Sequence, residues 1–184
     1  QQRPILSNST LDGLPSFLNR IYIARGVRSS TELELSLKQL HHSETIKGLD
    51  KAVDLLIDAI SNKQKILIVG DFDCDGATST ALAMLVLRAL KADCQFLVPN
   101  RFEYGYGLTP EIVDLASKEN PHLIVTVDNG ISSIDGVKRA KSLGMKVLIT
   151  DHHLPGDTLP EADAIVNPNQ PGCTFVSKSA AGVG

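Results

Sequence analysis

Hydrophobic residues change their spacing partway along the chain. Over roughly the first 60 residues they recur at helical intervals within polar sequence. A short amphipathic segment begins at Leu14-Pro15-Ser16-Phe17-Leu18, and Ser30-Thr31-Glu32-Leu33 has the look of a helix start, with Leu33, Leu37 and Leu40 following at helical spacing. From Asp50 to Ile60, Val53, Leu56, Ile57 and Ile60 follow an i, i+3, i+4, i+7 pattern, which predicts a helix packed through that face. After residue 61 short apolar runs appear instead. Lys65–Gly70, Cys94–Val98, His122–Val127 and Lys146–Thr150 predict strands, and Ala164–Val166 a possible fifth. Between them Ala77–Leu90, Pro110–Lys118 and Ser133–Leu143 predict helices, the second with Thr109 as N-cap and Pro110 at its first position. Strands alternating with helices predict an α/β domain over 61–184, with a mostly parallel sheet flanked by helices, after a helical lead-in over 1–60.

That architecture directs attention to the carboxyl ends of the strands, where open parallel sheets form their sites. Asp71, Asp73 and Asp75 follow the first strand, Asp128 follows the third, and Asp151-His152-His153 follows the fourth. Three carboxylates within five residues repel one another unless cations compensate them, and hard divalent cations do so by taking oxygen ligands. Three known patterns begin this way. An EF-hand loop would need a Glu at its twelfth position, where Leu82 stands, and a helix rather than a strand before it. An aspartyl-phosphate phosphatase start, Asp73-Cys74-Asp75-Gly76, has Ala77 in place of the usual Thr and leaves the later Asp-His-His unexplained. A two-metal phosphoesterase uses all three clusters. Two adjacent histidines in extended chain point to opposite sides, so one can bind metal while the other faces substrate, with Asp151 available to orient a ring. His41-His42, in polar sequence without acids beside it, is expected at the surface, and His122 in a structural role.

Composition narrows the possibilities further. The chain has 184 residues, 42% of them hydrophobic, enough for a substantial core. No stretch approaches the roughly 20 apolar residues of a membrane span, and the opening residues Gln1-Gln2-Arg3-Pro4 lack the apolar region of a signal peptide. The three scattered cysteines, Cys74, Cys94 and Cys173, form no zinc spacing or disulfide framework and suit a reducing cytoplasm. The formal charge of −3 excludes a simple basic coat for nucleic acid. It leaves room for a nucleic-acid enzyme, because bound divalent ions add positive charge where phosphate sits.

Taken together, Asp71-x-Asp73-x-Asp75-Gly76, Val127-Asp128-Asn129-Gly130 and Asp151-His152-His153 resemble the first three motifs of the DHH phosphoesterase superfamily. Asn167-Pro168 and the small-residue run Ser179–Gly184 are also similar to it. Within the superfamily, the lead-in from Leu14-Pro15 to Val27 and the segment Pro99–Leu108 resemble the bacterial single-strand-specific DNA exonucleases. The resemblance implies 5′-to-3′ hydrolysis of single-stranded DNA in repair and recombination, by a monomeric enzyme with two Mn²⁺ or Mg²⁺ ions and with single-strand-binding protein as a partner. It implies Asp73, Asp75, Asp128 and His152 as metal ligands, with Asp128 placed to bridge two ions. Asp71 and Asp151 become accessory groups and His153 the phosphate-facing catalytic imidazole. A single-strand channel needs basic and aromatic walls. Arg101, Tyr104 and Tyr106 are candidates, turn packing around Gly105 and Gly107 being the alternative. Relatives that hydrolyse short oligonucleotides, cyclic dinucleotides or pyrophosphate share the acidic motifs, and a non-catalytic binding module is a further alternative. The fourth acidic motif of the superfamily has no counterpart before Gly184, so the expectation is the N-terminal part of a larger enzyme, weakly active or inactive by itself.

Overall fold

The computed structural model describes residues 11–34, 36, 38 and 41–175. Leu37, Leu40 and the run Ser179–Gly184 lie outside the described residues. The chain divides into two compact units, 1–42 and 43–184. In the first, helix α1 (Ser16–Ala24) follows Pro15. The side chain of Asn19 closes a reciprocal pair with the Leu11 backbone, at 2.8 and 2.7 Å. A 3-10 turn over Ser30–Leu33 carries a capping box between Ser29 and Glu32.

The second unit holds α2 (Leu49–Ser61), β1 (Ile66–Gly70), α3 (Cys74–Ala89), β2 (Cys94–Leu97), the short α4 (Arg101–Tyr104), α5 (Pro110–Ser117), β3 (Leu123–Val127), α6 (Ile134–Ser142), β4 (Lys146–Thr150) and β5 (Ala164–Val166). All five strands are parallel, in the order β2-β1-β3-β4-β5. The α/β reading of the sequence is the observed fold. β1 and β3 are buried along their whole length, because helices cover both faces of the sheet. The two-residue period divides their side chains. Ile66, Ile68, Val125 and Val127 join Ala52, Ala59, Met84 and Leu87 of α2 and α3 in one core layer. Leu67, Val69 and Ile124 join Ile112, Val113, Val137 and Ala140 of α5 and α6 in the other.

Three details differ from the sequence pattern. The buried side of α2 is carried by Ala52 and Ala59, with Leu55, Leu56 and Ile60 partly buried, while Val53 and Ile57 are 44% and 57% exposed. The alanines let the helix axis come close to the sheet, which turns the larger residues outward. Helix α3 starts at Cys74 rather than Ala77, because the Asp73 side chain caps it by accepting from Gly76 N at 2.9 Å. The turn α4 has too few residues to show a helical period, and Asn100 O accepts from both Glu103 N and Tyr104 N.

The chain leaves β1 toward β2 on one side and returns to β3 on the other. The topological switch point therefore lies between the carboxyl ends of β1 and β3, where Asp71, Asp73 and Asp128 stand.

Candidate metal centre

Each acidic motif takes its place from local backbone chemistry. After β1 the chain turns sharply into α3, and Phe72 N donates to Asp71 Oδ1 at 2.7 Å. Gly76 is required by space, since a Cβ there would lie 2.4 Å from Asp71 O. After β3, Asp128 adopts a left-handed φ of 61°, uncommon for a residue other than glycine and more accessible to Asp and Asn than to most. Three hydrogen bonds hold this turn. Thr126 Oγ1 donates to Asn129 O at 2.7 Å, and the Asn129 amide donates to Val69 O and Val127 O at 3.1 and 3.0 Å. The Asn129 side chain thus ties the end of β1 to the end of β3. After β4, Asp151 is 2% exposed and its carboxylate is fully engaged. Oδ1 accepts from His152 N, His153 N and His153 Nδ1 at 2.7, 3.1 and 2.7 Å, and Oδ2 accepts from Ile131 N at 2.9 Å.

These turns bring the motifs together. Ligand atoms of Asp71, Asp73 and Asp128 converge in one group, and those of Asp128, His152 and His153 in another, each within 4.8 Å. Asp128 belongs to both. Its carboxylate is buried, and Oδ1 lies 2.8 Å from His152 Nε2. Burial, reinforced by the charge of Asp73 and opposed by His152, pushes the Asp128 carboxyl up to about 6. A buried carboxylate whose oxygens converge with another carboxylate and an imidazole fits a divalent cation with mixed oxygen and nitrogen ligands.

The remaining expected residues are placed as follows. Asp75 lies in the first turn of α3 and in neither group of converging atoms among the described residues. Asp71, expected as an accessory, contributes to the first group. Burial opposes protonation of His153, but its hydrogen bond to Asp151 and the charges of Asp151, Asp128 and Asp71 outweigh that and raise its pKa. Tyr106 Oη lies 3.3 Å from Asp128 O and 3.3 to 3.4 Å from both ring nitrogens of His153, with the rings edge to face. Burial, with the charges of Asp151, Asp71, Asp128 and Asp73, raises the Tyr106 phenol well above its usual value, so it stays a donor. Tyr104 packs partly buried against the α5–α6 core layer, and Arg101 opens α4. His41 and His42 are exposed, as expected, and His122 Nδ1 accepts from Lys65 N at 3.2 Å.

Three residues receive no role from the sequence alone. Asn169 Nδ2 donates to His152 O at 2.6 Å, and Asn167 Nδ2 donates to His153 O at 3.0 Å while its Oδ1 accepts from Asn169 N at 2.7 Å. The pair clamps the histidine backbone from the side of β5. The Asn-Pro-Asn spacing after a strand was the available signal. Phe102 is 93% exposed on α4, an aromatic with no packing role.

Comparison with known proteins agrees with this geometry. The model of the DHH family, N-terminal domain, matches residues 65–184. The single-stranded-DNA-specific exonuclease RecJ of Salmonella typhimurium is 58% identical over 172 residues, 93% of this chain and 30% of that protein. The chain therefore spans about a third of the length of that relative. Among solved structures, exonuclease RecJ bound to manganese matches with a TM-score of 0.68 at 36% identity, over 76% of this chain and 35% of that one. RecJ of Thermus thermophilus in complex with Mn²⁺ matches with a TM-score of 0.67 at 29% identity, over 95% of this chain and 26% of that one. With three motifs converging at the switch point of a parallel sheet and the family model matching most of its length, this chain belongs to the DHH family.

Proposed function

We propose that the protein is a two-metal phosphodiester hydrolase that degrades single-stranded DNA from its 5′ end in repair and recombination. The observation that carries this reading is Asp128, common to two groups of converging ligand atoms. The names of the similar exonucleases support the substrate class, and manganese in the similar structures supports the metal. Asp71, Asp73, Asp128 and His152 hold Mn²⁺ or Mg²⁺, and Asp75 enters the ligand set through the motif resemblance. When bound, the ions activate water and neutralise charge on the phosphate. The chain's own groups do the rest. Asp151 fixes the orientation of His153 through Nδ1. The raised proton affinity of His153 suits it to face the scissile phosphate as a cation and to supply a proton to the leaving oxygen. Tyr106 and Phe102 offer aromatic surface to a single strand, with Arg101 as a cationic contact and Tyr104 bracing the same segment.

The catalytic domain in this reading runs over 61–184, after a helical lead-in over 1–60. No helix among the described residues is long and apolar enough to cross a membrane. The three scattered cysteines fit a cytoplasmic monomer, and single-strand-binding protein is the partner implied by the resemblance.

The test is a Mn²⁺-dependent time course of the full-length protein on 5′-labelled single-stranded and duplex DNA. The reading expects labelled mononucleotide from the single strand and little from the duplex. An untouched single strand, with cleavage of dinucleotides, cyclic dinucleotides or pyrophosphate instead, would overturn it.

A further inference from the structure

Beside the metal centre, a cavity of about 750 Å³ extends from His153 to the first turns of α5 and α6. That volume lies within the range of small-molecule sites. Its character is unlike that of a phosphate site. Among the described residues no lysine or arginine lines it, and two carboxylates, Asp135 and Asp151, do. The helix amino ends and His153 favour an anion, while the carboxylates of Asp135 and Asp151 oppose one. Its walls are instead largely apolar. Leu108 and Ile131 form a buried floor, while Ile134 and Leu154 stand 42% and 78% exposed at the mouth. Tyr106 adds an aromatic edge next to His153. Large apolar side chains left open around a concave site mark it for an apolar surface of a ligand, and a nucleobase offers a flat one.

We propose that this cavity seats the base and sugar of a nucleotide flanking the scissile phosphate. Ile134, Leu154 and Tyr106 contact the base, and the Ser132 and Ser133 segment borders the sugar. Because the contact is with a π-face and apolar walls rather than base edges, the seat accepts every base. It positions the phosphate ester beside His153 through the nucleoside, in addition to the phosphate contacts of the metal centre. This inference rests on the exonuclease reading and adds a substrate subsite to it.

The test compares single-stranded oligonucleotides that carry a normal base or an abasic residue at the first or second position from the 5′ end. Wild-type full-length protein is expected to cleave the base-bearing strand about tenfold faster at one of these positions, the size of one base contact. Ile134→Asp with Leu154→Asp is expected to shrink that ratio to less than about threefold. Both side chains are exposed, and a thermal midpoint measured on the variant checks folding. A ratio unchanged in the variant, or absent in the wild type, overturns the proposal. Fluorescence of 2-aminopurine at the same position, with Ca²⁺ in place of Mn²⁺, reads base seating without cleavage. Quenching that depends on Ile134 and Leu154 in a protein that cuts neither strand would uphold the seat and sink the exonuclease reading. No such quenching, beside normal exonuclease activity, would sink the seat alone.

Discussion

Asp151 Oδ1 lies 2.7 Å from His153 Nδ1, and the same buried oxygen also accepts the backbone N–H groups of His152 and His153. One carboxylate thereby fixes both the fold of the histidine turn and the direction of the His153 ring. Asp151→Asn puts an amide N–H₂ or a weaker acceptor against these donors. A stability loss of about 1 to 3 kcal/mol is expected, with a 10- to 100-fold loss of activity, the usual size for a group that orients an active-site imidazole. Folded His153 binds its proton more tightly than it does in the unfolded chain. Its stabilising contribution is therefore full below the unfolded pKa and lost as pH rises through the folded one. In Asp151→Asn the pH-dependent part of the stability loss should be largest at acidic pH, and the alkaline limb of the pH–rate profile should move to lower pH. A profile that keeps its limbs would contradict the role given to His153.

Asp128 also loses stability as pH rises, but because of burial rather than a bonded partner. Its folded pKa, raised to about 6, means that the metal-free fold favours the protonated acid. Metal-free stability from this group is full at about pH 4 and declines as pH rises toward 6 and beyond. Asp128→Asn should thus be more stable than the wild type without metal at neutral pH, by on the order of 1 kcal/mol after allowance for solvent at the cleft. The gap should close near pH 4. Mn²⁺ should raise the thermal midpoint of the wild type and not of the variant. A variant less stable than the wild type in EDTA at pH 7 would count against a net cost of burying this carboxylate.

The hydroxyl and the ring of Tyr106 should separate in kinetics. Tyr106→Phe keeps the ring but removes the donor beside His153 and Asp128 O. Steady-state rates should show kcat falling about 2- to 10-fold with KM little changed. Tyr106→Leu should also raise KM. Equal effects of both variants on KM alone would leave the hydroxyl without a part in the reaction.

Phe102 is expected to matter for binding and not for folding. At 93% exposure its ring stabilises nothing in the fold. Phe102→Ala should leave the thermal midpoint within the small range of surface changes and weaken single-strand binding by about 1 to 3 kcal/mol in a fluorescence titration. Unchanged affinity would remove it from the strand path.

Much of this arrangement was legible in the sequence. Long apolar runs such as Lys65–Gly70 and His122–Val127 gave away strands buried on both faces, and the acids and histidines that end them gave away the sheet edge where they meet. Thr109 and Pro110 marked the start of α5 where it is found, with Thr109 Oγ1 accepting from Ile112 N. What escaped depends on side chains acting on the backbone. Asp73 serves as a helix cap as well as a ligand candidate, so α3 begins three residues before its apolar pattern does. The burial of α2 follows Ala52 and Ala59, whose small size decides approach to the sheet but carries little weight in a hydrophobic pattern. The clamp from Asn167 and Asn169 depends on β5 lying beside β4, a pairing that no local spacing encodes.

If Asp128 is shared by two cation sites, Mn²⁺ titration calorimetry on the full-length protein will read it. The wild type should bind two ions and Asp128→Ala should lose tight binding of both, while Asp71→Ala and His152→Ala each weaken chiefly one. An Asp128→Ala protein that still binds two ions with wild-type affinity would contradict it.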